Sequence, residues 1–116
     1  MNVLEYILSN YDTKEERLWV DTPDFVVFRN FTSKKWFVLL MQLPKNKLVK
    51  NATGIAEIIN LKCDPIVIGG LLNQKGIYPA YHMNKTHWIS VDVKETEENL
   101  TKYLIDLSYN LTLKRK

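Results

Sequence analysis

The sequence predicts an α+β domain, with one antiparallel sheet and helices packed on one of its faces. Three observations lead there. Apolar periodicity changes along the chain in the order helix, strands, helix, strands, helix. Two strand-like runs, residues 25–31 and 35–43, lie close enough to pair as an antiparallel hairpin. No strand–helix alternation runs long enough to build a doubly wound parallel sheet. The 116 residues fit a single domain over residues 1–116. A chain 46% hydrophobic and 25% charged belongs with globular proteins, not disordered ones.

Each element has its own signal. Leu4, Ile7, Leu8 and Tyr11 recur at helical spacing, and the polar residues 12–16 end that helix. Residues 18–23 carry no clear period. Residues 25–31 are β-branched and aromatic and form a strand. Thr32-Ser33 turns the chain, and residues 35–43 form a second strand stopped by Pro44. Alternation puts Phe37, Leu39, Met41 and Leu43 on one face of it, and Trp36, Val38 and Leu40 on the other. Residues 45–54 are a polar, basic loop. In the third strand, residues 56–63, Glu57, Ile59, Leu61 and Cys63 share the core face, opposite Ile58, Asn60 and Lys62.

Asp64-Pro65 starts the second helix, with Asp64 as cap and Pro65 at the first helical position. That helix runs through Ile66, Val67, Leu71 and Leu72 to Lys75, and Gly76 takes the left-handed position after it, with Pro79 beyond. Gly69-Gly70 inside it costs about 1 kcal/mol per glycine, which points to another backbone in close approach, with looseness of the helix as the plainer alternative. Residues 81–93 hold one or two strands with a turn at Asn84-Lys85. Thr96 caps the last helix, Glu97 and Glu98 suit its positive end, and Leu100, Tyr103, Leu104, Leu107 and Leu111 form its stripe. Lys114, Arg115 and Lys116 suit its negative end.

Charge is informative in its placement. The net charge of +3 is small, but no acid lies between Asp24 and Glu57, where Arg29, Lys34, Lys35, Lys45, Lys47 and Lys50 all fall. The single cysteine, Cys63, excludes an internal disulfide. Neither a signal peptide nor a membrane-length apolar run is visible, so a cytosolic protein without a membrane partner is expected. The Asn-x-Thr sequons at Asn30, Asn51, Asn84, Asn99 and Asn110 then reflect composition.

Two regions carry candidate function. If helices cover one sheet face only, the face with Trp36, Val38 and Leu40 stays exposed. Beside it, Arg29, Lys34, Lys35, Lys45, Lys47 and Lys50 supply cations suited to a phosphate backbone. Double-stranded DNA is the expected partner. A homodimer or protein interface on the same face is the alternative, and cover by the long first loop or by a second subunit is the plain reading. The second region is Tyr81, His82, Met83, Asn84, Lys85, Thr86, His87 and Trp88, which holds two imidazoles, an amide, an ammonium, a phenol and an indole. With Asn60 and Lys62 it makes a candidate ligand site for a small anion, or for proton transfer by His82 or His87. A structural network fixing a turn explains the same residues. His82, His87, Cys63 and Asp64 match no zinc spacing, so no metal is expected. No nucleophile has a visible base partner and no phosphate-binding glycine loop is present, so neither catalytic residues nor a cofactor are assigned.

The segment Asn60-Leu61-Lys62-Cys63-Asp64-Pro65, followed by Tyr81-His82-Met83-Asn84-Lys85 and His87-Trp88, resembles the MmcQ/YjbR family. The upstream hairpin and Leu107-Ser108-Tyr109 are similar too, so the likeness covers nearly the whole chain apart from a shortened first helix. The resemblance implies a frataxin/CyaY-like fold with helices on one face of the sheet. It also implies DNA binding through a double-wing arrangement of sheet and hairpins. It carries over no catalytic residue. The Gly69-Gly70 pair departs from the family pattern.

Overall fold

The structure, a computed structural model, describes residues 1–114; Arg115 and Lys116, expected at the end of the last helix, lie outside the described residues. Three helices, α1 (Val3–Asn10), α2 (Pro65–Leu71) and α3 (Glu98–Leu111), accompany six strands. The strands are β1 (Glu15–Glu16), β2 (Val26–Arg29), β3 (Trp36–Pro44), β4 (Ile55–Lys62), β5 (Ile77–Pro79) and β6 (Trp88–Asp92). They form one antiparallel sheet in the order β1-β2-β3-β4-β6-β5. The α+β expectation holds. The short β1 and β5 were not foreseen, because two or three residues carry no readable period.

The sheet divides two apolar cores. Val3 and Ile7 of α1, Ile68 of α2, and Leu104 and Ile105 of α3 pack on Val26, Phe28, Val38, Leu40, Ile59, Leu61, Cys63, Ile89 and Val91. The helices thus share one face. The other face is not bare. Val27, Leu39, Met41, Leu43, Ala56 and Ile58 form a second core under Phe25, Trp36, Leu48, Tyr81 and Met83, all from loops or strand ends. The exposed sheet face expected from sequence is therefore corrected: Val38 is fully buried and Leu40 6% exposed, both under the helices.

A β-bulge causes that difference. Phe28 pairs with Val38 but Arg29 pairs with Trp36, so Phe37 is an extra residue in β3. Phe37 turns to the helix side beside Val38, its ring 5.5 Å from Tyr11 and 5.0 Å from Tyr109. Trp36 falls on the opposite face, with Leu39 and Met41. Ser108 of α3 ties the bulge down by donating to the Phe37 carbonyl at 2.6 Å and accepting the Lys62 amide at 2.9 Å.

The caps follow local chemistry. Asp64 accepts the Ile66 amide at 2.9 Å, and Gly76 takes the left-handed conformation at φ 89°. A Cβ on Gly76 would collide with Thr96 Oγ1. Four expectations are corrected. Helix α2 stops at Leu71, well before Lys75. Gly69 and Gly70 face open space, so no backbone packs against them. Glu97, not Thr96, caps α3, its carboxylate accepting the Asn99 and Leu100 amides, while Thr96 lies buried over Gly76. Tyr103 and Leu111, expected in the buried stripe, are 62% and 40% exposed, and Ile105 takes the buried position. No helix among the described residues is long and apolar enough to cross a membrane.

Candidate nucleic-acid interface

Register builds a row across the helix-free face. Arg29 pairs with Trp36, the next β3 residues pair with the end of β4, and Lys62 of β4 pairs with Trp88 of β6. Partners across a sheet share a face. One end of the sheet therefore presents cation, indole, cation, indole on four neighbouring strands. The Arg29 guanidinium lies 6.0 Å from the Trp36 ring centre and the Lys62 ammonium 5.6 Å from that of Trp88. Arg29 also pairs with Glu16 at 3.0 Å, which neutralises part of its charge. Lys34 and Lys35 stand in the turn at this same end. Asn30 and Ser33 pin that turn to the end of α3, through the Tyr109 and Thr112 carbonyls. Among the described residues no carboxylate forms an ion pair with Lys34, Lys35, Lys62 or Lys85.

Beside this row lies an open groove of about 590 Å³. Trp36, Leu39 and Met41 make its floor, Trp19 and Phe25 one wall, and His82, Met83, Asn84 and Trp88 the other. Trp19 stands edge-on to Trp36, centres 5.8 Å apart at 86°, and edge-on to Phe25 at 6.1 Å. Residues 18–23 carry no readable period, so the place of Trp19 in the groove is not legible in the sequence; its one signal is the apolar triplet Leu18-Trp19-Val20 between polar residues.

The polar segment opposite is held by buried chemistry. Asn60 is fully buried; its Nδ2 donates to the Tyr81 carbonyl at 2.8 Å and its Oδ1 accepts from Ser90 Oγ at 2.5 Å. Ser90 Oγ accepts the Tyr81 amide at 2.9 Å. Two strands thus hold Tyr81 over the sheet, and Asn60 is committed to that task. Asn84 Oδ1 accepts the Thr86 and His87 amides, closing a turn. The His87 carbonyl accepts the Cys63 amide at 2.8 Å. The Asn84 bonds are those a turn-fixing network requires, whereas Asn60, expected in the ligand site, is taken up by the Tyr81 and Ser90 contacts. His82 differs: it is exposed, left-handed at φ 59°, and its ring lies 4.1 Å from that of Tyr81. Next to the groove, a second recess of about 350 Å³ is lined by Lys47, Tyr78, Tyr81, His82 and Lys85 among others. His82 belongs to both. His87 lines neither.

The basic residues expected to act together are split. Lys34 and Lys35 precede β3, while Lys45, Lys47 and Lys50 follow it; nine strand residues separate the two groups by roughly 30 Å. Lys45 is not free. Its ammonium meets Asp92 at 2.7 Å and Glu95 at 2.8 Å. Burial lowers the Lys45 pKa, but hydrogen bonds to both carboxylates overcome it and hold the value well above the usual one. The same bond from Lys45, then one from Tyr78, lowers the Glu95 pKa. Tyr78 is pushed up to about 12, by burial and then by that bond. Lys45 is a structural cation, and the expectation that it contacts phosphate is corrected.

Cys63 lies buried on the helix side, where burial raises its thiol pKa. No three His, Cys, Asp or Glu side chains gather around a common point among the described residues. On the helix side, α2 and α3 flank an apolar groove of about 680 Å³, at whose rim Ile66 is 88% exposed.

The YjbR family model matches residues 8–111. The chain belongs to the YjbR family. YyaQ of Bacillus subtilis is 34% identical over 112 residues, 96% of this chain and 95% of that protein. YbdF of Escherichia coli O157:H7 is 40% identical over 102 residues, 84% of this chain and 72% of that one. The crystal structure of a Pseudomonas syringae protein superposes with a TM-score of 0.90 at 40% identity, over 95% of each chain. A Deinococcus radiodurans protein of the domain family DUF419 shares the fold, with a TM-score of 0.71 at 24% identity over 97% of this chain and 77% of that one.

Proposed function

We propose that this YjbR protein is a nucleic-acid-binding module, DNA among its ligands, and that it binds on the helix-free face of its sheet. The observation that supports this most is the row Arg29, Trp36, Lys62, Trp88, where cations and indoles alternate across four strands. Cations meet phosphates, and indole faces meet bases of any identity. Contacts of that kind give affinity with little sequence readout. Lys34 and Lys35 extend the charge past the sheet end, and Lys47, Lys50 and Lys85 add a weaker second patch. A double-wing arrangement would take the β2–β3 turn as one wing and residues 80–87 as the other, and the likeness to the frataxin fold belongs to this same reading. The cytosolic setting expected from the sequence suits such a ligand.

The test is a titration of a labelled duplex of about 20–30 base pairs, and of one of its strands, at about 50 and 200 mM salt. Affinity should fall steeply with salt. Changing Lys34→Ala and Lys35→Ala together should flatten the logarithmic salt slope by about two. Absence of binding to either ligand at the lower salt, with protein at tens of micromolar, removes this reading. A Trp36→Ala change that alters the sedimentation mass instead would support the homodimer alternative.

A further inference from the structure

We infer that the tryptophan groove is the seat of one unpaired nucleobase, so that the preferred ligand is a single strand. This rests on the nucleic-acid reading above and specifies its ligand. Three observations carry it. The groove, at about 590 Å³, is of ligand-pocket size, within the usual range of about 300–1,000 Å³. Its lining is aromatic and apolar apart from Thr22, His82 and Asn84, and contains no carboxylate. His82 lines both the groove and the adjacent recess that holds Lys47 and Lys85, and Lys62 lies over the Trp88 ring.

That layout separates the parts of a nucleotide. A flat, uncharged ring would lie among Trp19, Trp36 and Trp88. The phosphates on either side would lie near Lys62 and near Lys47 and Lys85. Because Asn84 Oδ1 is occupied by the turn, its Nδ2 is the group left to meet a base edge, without a protein partner among the described residues. A duplex cannot make this contact without first extruding a base, because its bases are stacked on one another and show only their edges. An unpaired strand exposes the base faces that aromatic side chains stack upon.

The experiment compares three labelled ligands of equal length: a single strand, the same sequence as duplex, and a single strand with abasic sites that keeps every phosphate. The single strand should bind at least about tenfold more tightly than either of the others. Trp36→Ala should erase that preference while leaving the salt dependence in place. Equal affinity for single strand and abasic strand overturns the inference, and it does so whether or not the variant folds. Equal, salt-dependent affinity for single strand and duplex also overturns it, yet leaves nucleic-acid binding standing. Absence of binding to all three removes both readings.

Discussion

Lys45 and Lys62 stand on the same sheet face, toward opposite ends, and their surroundings differ completely. Lys45 is clamped by Asp92 and Glu95, its side chain 18% exposed. Lys62 lies against an indole with no carboxylate partner among the described residues. A lysine that is neutralised inside the molecule stabilises the fold and has nothing left for a ligand. A lysine resting on an aromatic ring keeps its charge available. Counting basic residues along a chain therefore overstates the charge open to a ligand, because partners within the fold decide which charges are free.

The largest expected effect is at Lys45. Lys45→Ala leaves Asp92 buried and unpaired, and should destabilise the protein by roughly 3 kcal/mol in urea unfolding. Its affinity for nucleic acid should change little; a large loss of affinity at preserved stability would reverse the roles assigned to the two lysines. Asn60, between the two ends, comes next. Asn60→Ala strands the Tyr81 carbonyl and should cost roughly 1–3 kcal/mol. Amide exchange should accelerate through residues 80–87, and unchanged protection there would mean that Ser90 alone holds Tyr81.

The other end sharpens the contrast. Lys62→Gln should alter stability by less than about 0.5 kcal/mol. It should weaken binding several-fold and flatten the salt slope by about one. The smallest effect concerns acid. The Glu95 pKa is lowered from 4.5 in the folded state, so its contribution is present above the unfolded value and is lost as pH falls through the lowered one. Glu95 is 30% exposed, so screening keeps the effect below about 1 kcal/mol. Unfolding free energies between about pH 5 and pH 3 should show that loss in the native protein and less of it in Lys45→Ala.

Much of the fold was readable because its signals are local. Asp64-Pro65 marks a helix start by its own chemistry, and Gly76 marks a left-handed turn. The alternation in β4 placed Cys63 and Asn60 on their correct faces. The failures are tertiary. Nothing in residues 35–43 signals that Phe37 is an extra residue; Tyr11 and Tyr109, distant in sequence, make the bulge worthwhile. One inserted residue then exchanges the faces of everything on one side of it. Trp36 does lie on the helix-free face, but the aliphatic companions expected beside it lie under the helices. Lys45 was misjudged because its carboxylates arrive from β6 and the turn after it, and no pattern near residue 45 announces them.

The groove has a spectroscopic consequence. The chain has three tryptophans, and Trp19, Trp36 and Trp88 all line the same groove, with none in the helix-side core. Intrinsic indole emission therefore reports one site and not the whole molecule. A ligand entering the groove would change that emission without any attached dye. An unfolding curve followed by the same light would trace the loosening of residues 18–25 and 80–88, and would follow the core beneath α1 and α3 only if the two faces come apart together.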